Sequence, residues 1–554
     1  MRRGIQGNND KMGMKMKIAL FSLVVFVAAI LAMPDTASAA QNLDQPSVDA
    51  AVKKGLEYLK GLQKADGSWC GDQPLEQAFP YGTTALVTFA LLKGGEPKDS
   101  ACIQKAIAYL RANKYVSTYG TSCLILTLCA LIEEESVPGE KIDKEKGGLQ
   151  TVPVEDESEI IKAKMKKAPP WIRQMIQDAV KYLISKKGAR VWRYPGTAVG
   201  DITKFDSSDS GDQDASNTQY VIMAFYEARR IGIKIDQDVF SSVADYFLSE
   251  QEEKGPEVES FRVPGADLNF KEVLDAEKEW MKNFNELLKR EKEQSKKDKK
   301  EFKGIDLTTA VGRDNPYDKY GGEMPKMCAR GWAYLPKAMK NVKTRAGEPH
   351  PTEWTEPVGS MTCSGIIACM LAKAHLQGTS WYNKNGKKLE QAIRDGFAWI
   401  VKNWSTAENP QCSLWKMYYF YAVERAGVLA IIHDIGPHDW YYEIGSAVLS
   451  LQRGDGSWSV EVAQPFYKQG PIWDTCFAIL FLKRATTPII KEDVIYTGEG
   501  LLGGKPAKEG KPAEEEKKEP APSQDGETPK KDEPPKKEAE PGGSGGDENP
   551  PEGE

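Results

Sequence analysis

From about residue 48 to residue 484 the chain alternates two kinds of apolar segment. In the first kind, apolar side chains recur along one stripe. Residues 48–63 carry Val48, Val52, Tyr58, Leu59 and Leu62 at the spacing of an amphipathic helix. In the second kind, as in residues 85–92, the apolar character runs all round, and a helix without a polar face has to be buried. The couple then repeats. Amphipathic stretches at 101–110, 171–185, 239–248, 389–404 and 441–452 alternate with buried ones at 123–132, 216–228, 362–375, 414–432 and 473–484. The pattern predicts six helix pairs, an outer helix followed by an inner one.

The turns between partners repeat as well. Leu62-Gln63-Lys64-Ala65-Asp66-Gly67-Ser68-Trp69 follows the first outer stretch, and Leu451-Gln452-Arg453-Gly454-Asp455-Gly456-Ser457-Trp458 follows the last. Asp-Gly is a turn dipeptide, because Gly accepts positive φ and Asp bonds its own backbone. The Gln before it and the Trp after it can clasp the two arms. Reduced versions keep only a tryptophan, at Trp192, at Gly331-Trp332 and at Trp415. A second echo, Tyr-Gly-Thr-[Ser/Thr], opens two inner stretches at Tyr81 and Tyr119. An open solenoid carries distinct polar caps at its ends. Here the last turn restates the first, which favours closure. The expected fold is all-α: an (α/α)6 toroid of six outer/inner helix pairs, with a helical insertion and a disordered C-terminal tail.

Segments outside the rhythm complete the layout. Residues 1–39 read as a signal peptide: Arg2, Arg3, Lys11, Lys15 and Lys17 precede the apolar run 18–33, which ends before Ala37-Ser38-Ala39. The protein is therefore expected to be exported, to the periplasm, cell envelope or medium, with an uncleaved membrane anchor as the alternative. The toroid is assigned to 40–490, with a charged loop at 140–169 and a longer insertion at 252–327. Within that insertion Leu274, Met281, Phe284 and Leu288 form one thin stripe, expected as a surface helix that is either a solvated decoration or a flap over the mouth. Residues 491–554 are Gly, Pro, Glu and Lys with almost nothing apolar, and are expected to be disordered. A net charge of −6 without a basic stripe argues against a nucleic-acid partner. The nine cysteines are odd in number, and five of them (Cys123, Cys129, Cys363, Cys369 and Cys476) fall inside apolar runs, where a thiol behaves as a small hydrophobe.

The Leu-Gln-x-x-Asp-Gly-Ser-Trp wording closely resembles the QW repeat of squalene/hopene cyclases and of protein prenyltransferase β subunits, over about residues 47–487. The resemblance implies a toroid with a cavity at one end, lined by the first turns of the inner helices: Thr83, Thr121, Thr362 and Asp474, with Trp415, Tyr418 and Tyr419 as aromatic lining. Class II terpene cyclases start polyprene cyclisation with the middle Asp of an Asp-x-Asp-Asp motif at such a helix start. Laid on Asp212-Gln213-Asp214-Ala215, that motif makes Asp214 the acid and Asp212 its support, with Ala215 where the last Asp would stand. The plain alternative is that Asp214 or Ser216 caps the helix. Prenyltransferases hold zinc with Asp-x-Cys and a later His. Asp474-Thr475-Cys476 matches the first part, but no His follows, so no metal is expected. Cys70-Gly71-Asp72-Gln73 is similar to the Cys-Gly-Glu-Gln thioester of complement-like proteins, with Asp for Glu and no His before His350. No cofactor is expected. Two functions fit. One is an extracytoplasmic toroid binding an apolar small molecule or a peptide, possible association with the envelope included; the other is a class II terpene-cyclase-like isomerase.

Overall fold

The computed structural model describes residues 43–70, 79–133, 168–193, 213–269, parts of 272–298, 324–343, 347–459 and 470–486. The expected signal peptide, the tail, Asp212, Gln73 and the stripe of Leu274, Met281, Phe284 and Leu288 lie outside them. Among the described residues the structure is mostly helical. The long helices are α1 (Gln45–Gly61), α2 (Pro80–Gly94), α3 (Ala101–Ala112), α4 (Thr118–Glu133), α5 (Pro170–Ser185), α6 (Ala215–Arg230), α7 (Gln237–Glu250), α8 (Gly359–Leu376), α9 (Ser380–Lys402), α10 (Lys416–Ala430), α11 (Trp440–Ser450) and α12 (Pro471–Leu482).

Their starts follow from local chemistry. Asp44, Ser100, Thr379 and Asp439 each accept a hydrogen bond from a backbone N–H of the following first turn. Proline opens α2, α5 and α12, where its missing N–H costs no hydrogen bond. Odd-numbered helices such as α3 bury one stripe, Ile103, Ala106, Ile107 and Leu110. Even-numbered helices are buried nearly throughout: α10 is buried from Met417 to Ala430. Buried hydroxyls on these inner helices are satisfied one turn back. Thr88 donates to the Thr84 carbonyl at 2.7 Å, and Thr127 donates to both Cys123 and Ala85 carbonyls at 2.8 Å.

The inner helices pack in cyclic order. Each touches the next, α2 with α4, α4 with α6, α6 with α8, α8 with α10 and α10 with α12, and α12 packs back on α2. The Trp473 indole N–H donates to Thr83 Oγ1 at 2.9 Å across that last contact. Outer helices lie against this set, α1 touching both α2 and α12.

The insertion leaves and returns at one place, because Glu257–Val258 pairs antiparallel with Met327–Cys328. Its root is held by charge. Asp267 accepts the Val263 N–H at 2.8 Å and Arg394 Nε at 2.5 Å, while Lys373, fully buried on α8, reaches the Ala266 and Leu268 carbonyls at 3.0 and 3.1 Å and Glu390 at 3.1 Å. Burial pulls the Lys373 pKa down and Glu390 pushes it back up. The described residues between 272 and 297 are helical and, from 279 on, exposed.

Candidate functional site

The turn motifs are structural clasps. After α1, Asp66 accepts Ser68 N–H and Oγ–H at 3.0 and 2.7 Å, and Gly67 takes φ 88°. Trp69 is fully buried, its indole donating to the Leu59 carbonyl of α1 at 2.7 Å and its backbone N–H to Thr84 Oγ1 of α2 at 3.0 Å. Gln63 donates back to Gly67 O at 3.1 Å and outward to Cys102 O of α3 at 2.9 Å. The turn after α11 reproduces this. Trp458 joins Val448 O and Thr475 Oγ1 at 2.8 and 3.0 Å, Asp455 accepts from Ser457, and Gln452 donates to Gly456 O and to Ala51 O of α1 at 3.0 and 2.8 Å. Gly456 also has φ 88°; a Cβ there would lie 2.5 Å from Lys54 O, so only glycine fits.

Two reduced turns keep the same grip. Trp192 donates to Leu183 O at 2.7 Å and to Thr218 Oγ1 at 3.2 Å; Trp332 donates to Phe247 O at 2.8 Å and to Thr362 Oγ1 at 3.3 Å, with Gln251 reaching Arg330 O and Ala392 O at 3.0 and 2.9 Å. Trp415 does something else. It takes φ 66° immediately before α10 and sits half-buried against the core.

Asp214 is the cap of α6. Its carboxylate accepts Asn217 N–H at 2.7 Å, Ser216 Oγ–H at 2.6 Å and the Tyr334 hydroxyl at 2.7 Å, and it is 1% exposed. The Asn217 bond satisfies a free N–H of the first turn, the arrangement that holds a helix start. The other expected lining residues are packed too. Thr121 donates to Ser117 O at 2.7 Å, Thr83 receives Trp473, Thr362 receives Trp332, and Asp474 is buried in the first turn of α12. Adjacent Tyr418 and Tyr419 point apart: Tyr419 meets Gly359 on α8, while Tyr418 turns inward toward Tyr220.

At the centre of the inner set stands a group the sequence reading did not single out, Arg425. It is fully buried, and its guanidinium lies over the rings of Tyr421, Tyr220 and Tyr418 at 4.1, 5.1 and 5.5 Å from their centroids. The Gln219 side-chain oxygen accepts from Arg425 Nη2 at 2.8 Å and Nε at 3.2 Å, and its nitrogen donates to Tyr418 at 3.0 Å and to Ser364. The aromatic wall extends through Tyr119 against Tyr220 at 4.8 Å and Phe477 against both Tyr418 and Tyr421 at 5.6 and 6.0 Å. Burial pushes the Tyr220 and Tyr421 phenols well above their ordinary range while Arg425 pulls them down; burial also pushes the Cys123 thiol up to about 12. These groups are protonated donors at neutral pH. The available signal was the Glu424-Arg425 pair inside an otherwise apolar run, since a charge on a wholly buried helix needs a reason.

An opening lies at the other ends of the inner helices. A cavity of about 20 Å³ is lined by Phe89, Leu126, Met223, Leu371, Leu429 and Tyr421, with Lys93, Glu227 and Thr486 as its polar members. The space is of the order of one water molecule. It lies at the C-terminal halves of the inner helices, the end away from the first turns at which the resemblance implies an opening. Among the described residues no three His, Cys, Asp or Glu side chains group so as to hold a metal, no disulfide joins any two of the nine cysteines, and no helix is long and apolar enough to cross a membrane. The chain matches no protein-family model, and no curated protein matches it.

Proposed function

We propose that the chain is an exported (α/α)6 toroid of the squalene/hopene cyclase and prenyltransferase β-subunit type, acting as a binding scaffold. Its ligand is an apolar small molecule or a peptide engaged at the mouth formed by the C-terminal halves of the inner helices. The toroid reading is supported by the cyclic packing of the inner helices and by Gln452 of the last turn binding α1 of the first pair. One observation favours binding over catalysis. The aromatic faces that would steady a carbocation already hold the Arg425 guanidinium. A second cation on the same rings would meet like charge in a low-dielectric site. The one described carboxylate offered as acid, Asp214, is engaged by three donors.

The test is incubation of purified protein with squalene and with farnesyl diphosphate. No product is expected from either. A cyclised product that disappears in Asp214→Asn overturns the reading in favour of the cyclase. Binding is tested by titrating squalene and a set of unfolded peptides against intrinsic fluorescence. Met223→Trp, which fills the mouth, is expected to abolish the response; a response unchanged by that substitution removes the mouth as the site.

A further inference from the structure

Arg425 is a buried cation without a counter-ion. Among the described residues its polar neighbours are the neutral oxygen of Gln219, the Tyr220 hydroxyl and three aromatic faces. Its Nη1 has no hydrogen-bond partner. The adjacent Glu424 is turned away, its carboxylate accepting the Thr486 N–H at 3.2 Å and the Thr486 hydroxyl at 2.7 Å. An uncompensated charge in a protein interior is costly, and arginine cannot shed its proton to escape the cost. Two further hydroxyls around the same guanidinium are buried and make no hydrogen bond of full geometry, that of Tyr220, beside Arg425, and that of Tyr421, beside Thr486. The Tyr421 ring is the nearest of the three to Arg425, and Tyr421 also lines the cavity at the mouth.

We infer that Arg425 Nη1, Tyr220 OH and Tyr421 OH form a binding site for a small monovalent anion of chloride's size, reached from the cavity past Tyr421. Three donors and one fixed positive charge match the needs of such an ion, and the ion supplies what each donor lacks. One buried positive charge matches one negative charge, so a divalent anion would keep an unmatched charge, and the burial of Arg425, Tyr220 and Tyr421 favours an ion without a side chain. The bound ion would lock α6 to α10, since Tyr220 stands on one and Arg425 and Tyr421 on the other. This site is independent of whether a larger ligand binds at the mouth.

The experiment is thermal unfolding of the purified full chain in sodium chloride, bromide, sulfate or gluconate at constant ionic strength. A ligand that binds only the folded state raises the midpoint in a saturating way. Chloride and bromide are expected to give that rise, and sulfate and gluconate are not. Arg425→Met is expected to abolish it. Tyr220→Phe and Tyr421→Phe, which remove only a hydroxyl, are expected to raise the half-saturating halide concentration about tenfold, the equivalent of one hydrogen bond to a charged group. Identical curves in all four salts, or a halide effect that survives in Arg425→Met, overturn the proposal. Should Arg425→Met fail to fold, crystals grown in bromide decide. An anomalous peak beside Arg425 Nη1 supports the site, and bromide found only at the surface overturns it.

Discussion

The turn that ends the first outer helix and the turn that ends the last have matching hydrogen bonds and the same glycine φ, yet they close very different loops. Gln63 reaches a carbonyl 39 residues along the chain; Gln452 reaches one 401 residues away. By loop-closure entropy alone the second costs about 2 kcal/mol more than the first. The first clasp therefore joins neighbours that sequence already holds together, while the second has to be supported by everything else along its seam. That support is visible: α12 against α2 and α1, the Trp473–Thr83 bond, and Thr486 held by buried Glu424. One device serves as a local turn in one place and as a lock between chain-distant helices in the other.

The largest expected effect comes from breaking the locks. Trp69→Ala and Trp458→Ala each remove a fully buried indole and its bond, for about 3–5 kcal/mol of unfolding free energy by denaturant titration. Hydrogen exchange separates them: Trp458→Ala is expected to speed exchange in α1 and α12 selectively, whereas Trp69→Ala spreads its effect over α1 to α3. Equal exchange patterns would remove the distinction between local turn and distant lock. Next is Glu424, whose pKa burial pushes up to about 7 against the pull of Thr486 and Arg484. The folded protein then holds this proton more tightly than the unfolded chain, so stability falls as pH rises from about 4.5 through about 7. Glu424→Gln is expected to remove that slope, on the order of 2–3 kcal/mol between pH 5 and pH 8, measured as unfolding midpoints across the range.

Smaller still is the amide. Gln452→Ala is expected to cost about 1 kcal/mol, as the loss of two neutral hydrogen bonds in a half-exposed place, and Gln63→Ala the same. A markedly larger cost at Gln452 would show that its outward bond is itself the lock. Least of all are the turn carboxylates. Ser68 and Ser457 hold Asp66 and Asp455 below the usual carboxylate range, so their contribution is present above the ordinary value of 3.8 and fades as pH falls below it. Asp66→Asn and Asp455→Asn should shift the acid-unfolding midpoint slightly and alike; unequal shifts would mean that the two turns are not equivalent.

How much of this was legible beforehand follows from where the contacts lie in sequence. The clasps could be read because Asp66-Gly67 and Asp455-Gly456 build themselves from adjacent residues, and Trp192 and Trp332 kept the grip without the wording. The helix pairs could be read because burial all round leaves no polar face. Trp415 broke the series: a tryptophan near a helix start looks the same in sequence whether it clasps two helices or takes a left-handed cap position. The Gln219–Arg425 pair was not legible, since it joins two helices whose register is fixed only by packing around the centre. From sequence alone Asp214 reads either as an acid or as a helix cap. What its surroundings add is Tyr334, a donor that arrives from the far side of the insertion.

Because α12 rests on α1, the first and last of the described helices are next-door neighbours although about 400 residues separate them along the chain. The order in which the pairs are strung is then separable from the order in which they stand. A gene that joins residue 486 to residue 43 through a short linker and reopens the chain between residues 70 and 79 should yield the same helix neighbours, with what is now the first clasp left as the one spanning the new ends.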